Sequence, residues 1–147
     1  MKKLLVSLSL VLTAGLTSAF TQDINNDPRV EKLFTREFAG AENVKWVKLN
    51  DGYHKASFVL AGVGAEAYFS PDAELAGTVR NLFYNQLPLV VMRAISNQFA
   101  NGVVLEIREI ANSDGTNYRV RLEQKTKKYD LYLNSLGEIT EIKKIKK

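Results

Sequence analysis

Cysteine is absent from this chain of 147 residues, and histidine occurs once, at His54. Without cysteine there can be no disulfide and no thiol nucleophile, so stability must come from core packing. Zinc sites draw mostly on sets of cysteine and histidine, which excludes their usual forms here. His54 has no thiol beside which to act as a base, and its place at a hairpin start reads as a strand-edge surface residue. A charge excess of one sign is also missing. The formal net charge of +4 falls to +2 once Lys2 and Lys3 are set aside, which makes no case for nucleic acid.

Phosphate and calcium motifs are wanting too. Gly62 and Gly64 form only a G-x-G fragment between strands, with no helix to receive a phosphate. Asp72 and Asp114 lack the dense acidic spacing of a calcium loop. Paired acids alone can hydrolyse glycosides, and Glu66, Glu106, Glu109 and Glu123 fall on predicted strands. Asp51, Asp72, Asp114 and Glu138 fall in predicted turns, where carboxylates bond nearby backbone N–H groups. No catalytic constellation emerges, and no enzyme, cofactor or metal site is read.

The start of the chain is distinct. Met1-Lys2-Lys3 is basic, Leu4 to Leu16 is almost wholly apolar, and Thr17-Ser18-Ala19 is a small-residue cleavage pattern. This reads as a secretory signal peptide over 1–19, cut before Phe20. The apolar run is shorter than the ~20 residues that span a bilayer. A periplasmic or secreted protein follows, with no stable membrane anchor after cleavage, and a loose polar leader over 20–26.

Asp27-Pro28 then opens a helix, Asp as cap and Pro at the first helical position. Val30, Leu33, Phe34 and Phe38 lie at i, i+3, i+4 and i+8, one apolar face. Val44 to Leu49 reads as a strand, Asn50-Asp51-Gly52 as a tight turn, and Tyr53 to Leu60 as the next strand. Ala65 to Phe69 and Leu75 to Leu82 follow, separated by Ser70-Pro71-Asp72. A second helix runs from about Pro88 to Phe99, with Val91, Ala94, Ile95 and Phe99 as its stripe. Val103 to Ile110, Tyr118 to Glu123, Tyr129 to Leu133 and Glu138 to Ile145 are the later strands.

The pattern of the first half recurs in the second. Val30 matches Val91 at an offset of 61, and Glu74 matches Glu138 at 64. Leu105 and Ile107 take the places of Val44 and Trp46. The fold class is therefore α+β, a tandem repeat of a helix plus a four-stranded antiparallel meander, over 27–84 and 85–147. Each sheet should bury one face under its helix and leave the other exposed. Whether the eight strands form one sheet or two modules stays open.

Two features remain as candidate surfaces. Tyr53, Tyr68 and Tyr132 fall opposite in parity to the apolar residues of their strands and could line the helix-free face, where tyrosine offers contact area at small entropic cost. Lys143, Lys144, Lys146 and Lys147 could attract anionic lipid or nucleic acid, but read better as edge-strand lysines that discourage strand pairing.

The signal peptide, the helix ending in Phe38-Ala39, the strand Asn43-Val44-Lys45-Trp46, the strand Tyr53 to Phe58 and Ala67-Tyr68-Phe69 before a turn resemble the β-lactamase-inhibitor-like, PepSY-like family of exported Bacteroidetes-type proteins. The copy from Leu87-Pro88 onward fits as well. The resemblance implies a tandem α+β fold similar to β-lactamase inhibitory protein, which binds its enzyme with a concave sheet surface, and a link to restraint of peptidases. It carries no catalytic residues over. The expectation is an exported, non-enzymatic binding module presenting a sheet face to a protein partner. The alternatives are a carrier of a small apolar or peptide-like ligand held between helix and sheet and, last, a hydrolase using strand carboxylates.

Overall fold

The computed structural model describes residues 26–146, so the signal peptide and nearly all of the leader lie outside the described residues. Helix α1 spans Pro28–Glu37, where the Asp27 carboxylate accepts the Arg29 N–H at 2.9 Å. Strands β1 (Glu42–Lys48), β2 (His54–Leu60), β3 (Val63–Phe69) and β4 (Leu75–Asn81) follow. A short 3₁₀ turn at Tyr84–Gln86 leads into helix α2, Leu89–Gln98. Strands β5 (Val103–Asn112), β6 (Gly115–Gln124), β7 (Lys127–Asn134) and β8 (Ile139–Ile145) complete the order. Pro88 caps α2 rather than sitting inside it.

All eight strands form one antiparallel sheet in sequence order, β1 to β8. Continuity depends on β4 and β5, which pair from Gly77 against Asn112 to Asn81 against Arg108. A Cβ on Gly77 would stand 2.9 Å from the Ala111 carbonyl, so the approach of these strands needs glycine there. The β6–β7 turn places Lys125 and Thr126 at φ of 47° and 64°, the left-handed values that two-residue hairpins of this twist require.

Two apolar clusters sit between helices and sheet. Around α1, Val30 and Phe34 pack on Ala56, Phe58, Ala67 and Phe69. The Phe34 ring lies 5.1 Å from that of Phe58 and 5.2 Å from that of Trp46, both edge-on, the favoured arrangement of aromatic pairs. Around α2, Val91, Ile95 and Phe99 pack on Ile107, Val120, Leu122, Leu131 and Leu133. The row Ala65, Arg80, Glu109, Tyr118, Leu133 runs through both regions in direct register, and directly paired residues share a face. Both helices therefore cover the same side of the sheet.

Three sequence expectations need correction. Leu105 does not replace Val44 in the core but is exposed, because a register shift between Val104 and Glu106 turns it outward and gives its place to Val104. His54 is buried on the helix side rather than on the surface; its Nδ1 lies 3.4 Å from Asn26 Oδ1, where the chain enters α1. The helix-free side is not simply exposed. Val79, Arg119, Tyr68 and Asp130 are 1%, 4%, 7% and 8% exposed, although no described helix covers them. Tyr68, Arg119 and Asp130 are hydrogen-bonded there to Glu66, Glu106 and Arg121.

Candidate functional site

The helix-free face is built from the second parity of every strand. Lys55 and Ser57 of β2 stand beside Tyr68 and Glu66 of β3. Arg108 of β5 pairs with Arg119 of β6, and Glu106 with Arg121. Arg119 pairs on with Tyr132 of β7, and Arg121 with Asp130. Lys143 and Glu141 of β8 end the two rows.

Those on β2, β3, β5, β6 and β7 form a connected ionic chain across the sheet. Glu66 receives the Tyr68 hydroxyl at 2.9 Å and lies 3.8 Å from Lys55 Nζ and 3.4 Å from Arg108 Nη2. Glu106 accepts Arg119 Nη2 at 2.9 Å and lies 3.5 Å from Arg108 and 4.0 Å from Arg121. Arg121 holds Asp130 through two parallel bonds of 2.8 Å, the fork geometry that makes arginine–carboxylate pairs strong. Lys143 lies 4.9 Å over the Tyr132 ring and 3.3 Å from Glu141.

The electrostatics fix the charge states. Burial, then the Glu66 charge and hydrogen bond, push the Tyr68 phenol well above its ordinary range, so it stays a neutral donor. The hydrogen bonds to Asp130 raise Arg121 further. Arg108 and Arg119 stand directly opposite each other, an arrangement of like charges that is destabilising unless anions intervene. Glu66 and Glu106 intervene incompletely. Among the described residues the buried Nε of each arginine has no acceptor; Glu106 approaches Arg108 Nε at ion-pair distance without hydrogen-bond geometry. An unsatisfied buried donor of this kind costs about 1–3 kcal/mol.

The three tyrosines singled out in the sequence are not brought together. Tyr53 precedes β2, half-buried in an open groove of about 570 Å³ with Ser70, Leu75 and Asn112. Tyr68 is buried on β3 and Tyr132 half-buried on β7, both on the helix-free side. Four strand spacings separate those two, roughly 19 Å. The residues that dominate the face are Arg108, Arg119, Arg121 and Asp130. Their signal was the alternation of Arg119 and Arg121 against Tyr118, Val120 and Leu122, together with Glu106 and Arg108 two apart on β5.

The other chemistry considered has little footing. Among the described residues no group of three or more histidines, aspartates and glutamates could hold a metal ion. Val30, Ala56, Ala67 and Phe69 fill the layer between α1 and the sheet. The larger cavities lie at hairpin ends and at the β7–β8 edge, where Lys127, Lys128, Lys144 and Lys146 line an open cleft.

Comparison with protein-family models and with curated proteins finds no match. Solved structures do match. A BLIP-like protein from Bacteroides fragilis is 25% identical, with a TM-score of 0.72, over 83% of this chain and 88% of that one. The fold is BLIP-like. A protein from Bacteroides eggerthii described as periplasmic superposes with a TM-score of 0.74 at 20% identity, over 81% of this chain and 88% of that one. A DUF2874 family protein from Bacteroides ovatus does so with a TM-score of 0.74 at 19% identity, over 82% and 89%. The BLIP-like resemblance read from the sequence is thus met by the structure, as an α+β fold with two helices and an eight-stranded antiparallel sheet. Among the described residues, no helix is long and apolar enough to cross a membrane.

Proposed function

We infer that this protein is an exported, non-enzymatic binding module whose helix-free sheet face docks on a protein partner. The observation that carries the reading is the ordered ionic chain from Lys55 through Glu66, Arg108 and Glu106 to Asp130, on a face that the helices leave open. A structural sheet face needs no such chain, because buried ion pairs contribute little net stability. A docking surface gains specificity from fixed, correctly signed charges. The BLIP-like neighbour supports a binding role through its fold, and the periplasmic description of the B. eggerthii protein supports reading 1–19 as a signal peptide. Restraint of an exported peptidase, which the PepSY-like resemblance implies, is the finer form of the proposal. The two α-β4 repeats, 27–84 and 85–147, then act as one binding unit. The carrier reading has less support, since side chains fill the helix–sheet layer.

The test compares two bulky substitutions. Asn117→Trp stands mid-face between Ile110 and Asn134, while Lys32→Trp stands exposed on α1. Binding of proteins from the exported fraction of the producing cell should fall with Asn117→Trp and persist with Lys32→Trp, at equal thermal stability. Equal loss, or equal retention, contradicts docking through this face.

A further inference from the structure

We propose that the centre of this face, at Arg108 and Arg119, is a carboxylate-recognition site, and that the partner presents an acidic segment (aspartate or glutamate side chains) to it. The proposal rests on the sheet-face reading and names its chemistry. Seven cations on this face, Lys45, Lys55, Arg108, Arg119, Arg121, Lys128 and Lys143, stand among six anions, Glu42, Glu66, Glu106, Glu123, Asp130 and Glu141. At the centre two guanidinium groups oppose each other between two carboxylates that satisfy neither Nε.

Three observations select a carboxylate. Arg108 makes ion-pair contacts at 3.4 and 3.5 Å through Nη2 and Nε but donates no side-chain hydrogen bond among the described residues, so its hydrogen-bonding capacity is incompletely used while its position is held. Arg119 has a side chain only 5% exposed, donates one bond to Glu106, and among the described residues keeps a buried Nε without an acceptor. Arg121, by contrast, is saturated by Asp130. The fork of Arg108 matches an incoming carboxylate bidentately. An acidic group arriving there would also relieve the Arg108–Arg119 opposition, a gain unavailable to a neutral or basic partner. An acidic segment rather than a free anion is favoured because Arg108 and Arg119 stand side by side on neighbouring strands, where two carboxylates of one segment can each meet one guanidinium.

The probe is a displayed library of random linear peptides, panned on the full chain. Enriched peptides should be rich in aspartate and glutamate. Their affinity should fall at least about tenfold in Arg108→Gln, the loss expected for one charged hydrogen-bonded contact. Arg108→Lys, which keeps the charge and guards against misfolding, should retain part of the binding. Excess acetate should not displace the peptides; displacement by acetate would mean a small-anion site and would overturn the acidic-segment proposal. Enriched peptides without carboxylates, but blocked by Ser57→Trp on the same face, would overturn the carboxylate site while leaving sheet-face docking intact. Peptides indifferent to both Arg108→Gln and Ser57→Trp would overturn both. If no peptide is enriched, the carboxylate site is rejected, and docking through the face is decided separately by the Asn117→Trp and Lys32→Trp pair.

Discussion

Glu106→Gln tests the ionic chain at its most connected point. The substitution keeps size and shape but removes the charge that meets Arg108, Arg119 and Arg121 at 3.5, 2.9 and 4.0 Å. Arg119 suffers most, because Glu106 is its one side-chain acceptor among the described residues and its own side chain is 5% exposed. Breaking a fully buried pair costs about 3–5 kcal/mol, and an exposed pair about 0–1. Glu106 is 37% exposed, so solvent screens part of the loss. The expected destabilisation is about 2 kcal/mol, equivalent to a fall in Tm of roughly 6–10 °C for a domain of this size. Urea unfolding should be followed by far-ultraviolet circular dichroism and by fluorescence of Trp46, the single tryptophan. Trp46 reports from the α1 cluster, so coincident transitions would also show that the continuous sheet unfolds as one unit. Arg119→Met in the Glu106→Gln background should recover about 1 kcal/mol or more, since no buried charge is then left unpaired. A loss below about 0.5 kcal/mol, or strict additivity of the two changes, would show that Glu106 and Arg119 are not coupled as their geometry implies.

Two further outcomes follow from the helix termini and turns. Gly137→Ala should destabilise by roughly 1–3 kcal/mol in the same urea assay, because Gly137 has φ of +81° and a Cβ would meet the Val90 carbonyl oxygen at 2.6 Å; an effect below about 0.5 kcal/mol would mean that the β7–β8 turn does not press on α2. Asp27, held down to about 2 by its hydrogen bonds to Arg29, contributes stability that is present above its unfolded value of 3.8 and lost as pH falls toward 2. Asp27→Asn, which can still cap the helix, should flatten the acid limb of Tm between those values, and an unchanged limb would show that Asp27 does not contribute.

Local signals carried much of the fold. Asp27-Pro28 announced α1, and the apolar stripes of Val30 and Val91 identified the buried helix faces, because capping and periodicity act within a few residues. The β4–β5 junction was not legible in that way. Its register joins Gly77 to Asn112, and nothing near either residue specifies the other. His54 was misread for the same reason, since Asn26 and the α1 entry bury it from a distance. Leu105 was misplaced by a bulge that parity cannot foresee. The site was legible as alternation but not as chemistry. Arg119 and Arg121 visibly shared a face, yet only the strand register brings Arg108 opposite Arg119 and separates Tyr68 from Tyr132. Aromatic parity drew notice to the tyrosines, while the charges beside them define the face.

Site-specific photo-cross-linking in the producing cell tests docking through the helix-free face most directly. A benzophenone side chain at Asn117, on that face, should give a discrete adduct with an exported protein, and the same group at Lys32 on α1 should give none. Adducts from Lys32 with none from Asn117 would place the partner on the helices and contradict the proposed function.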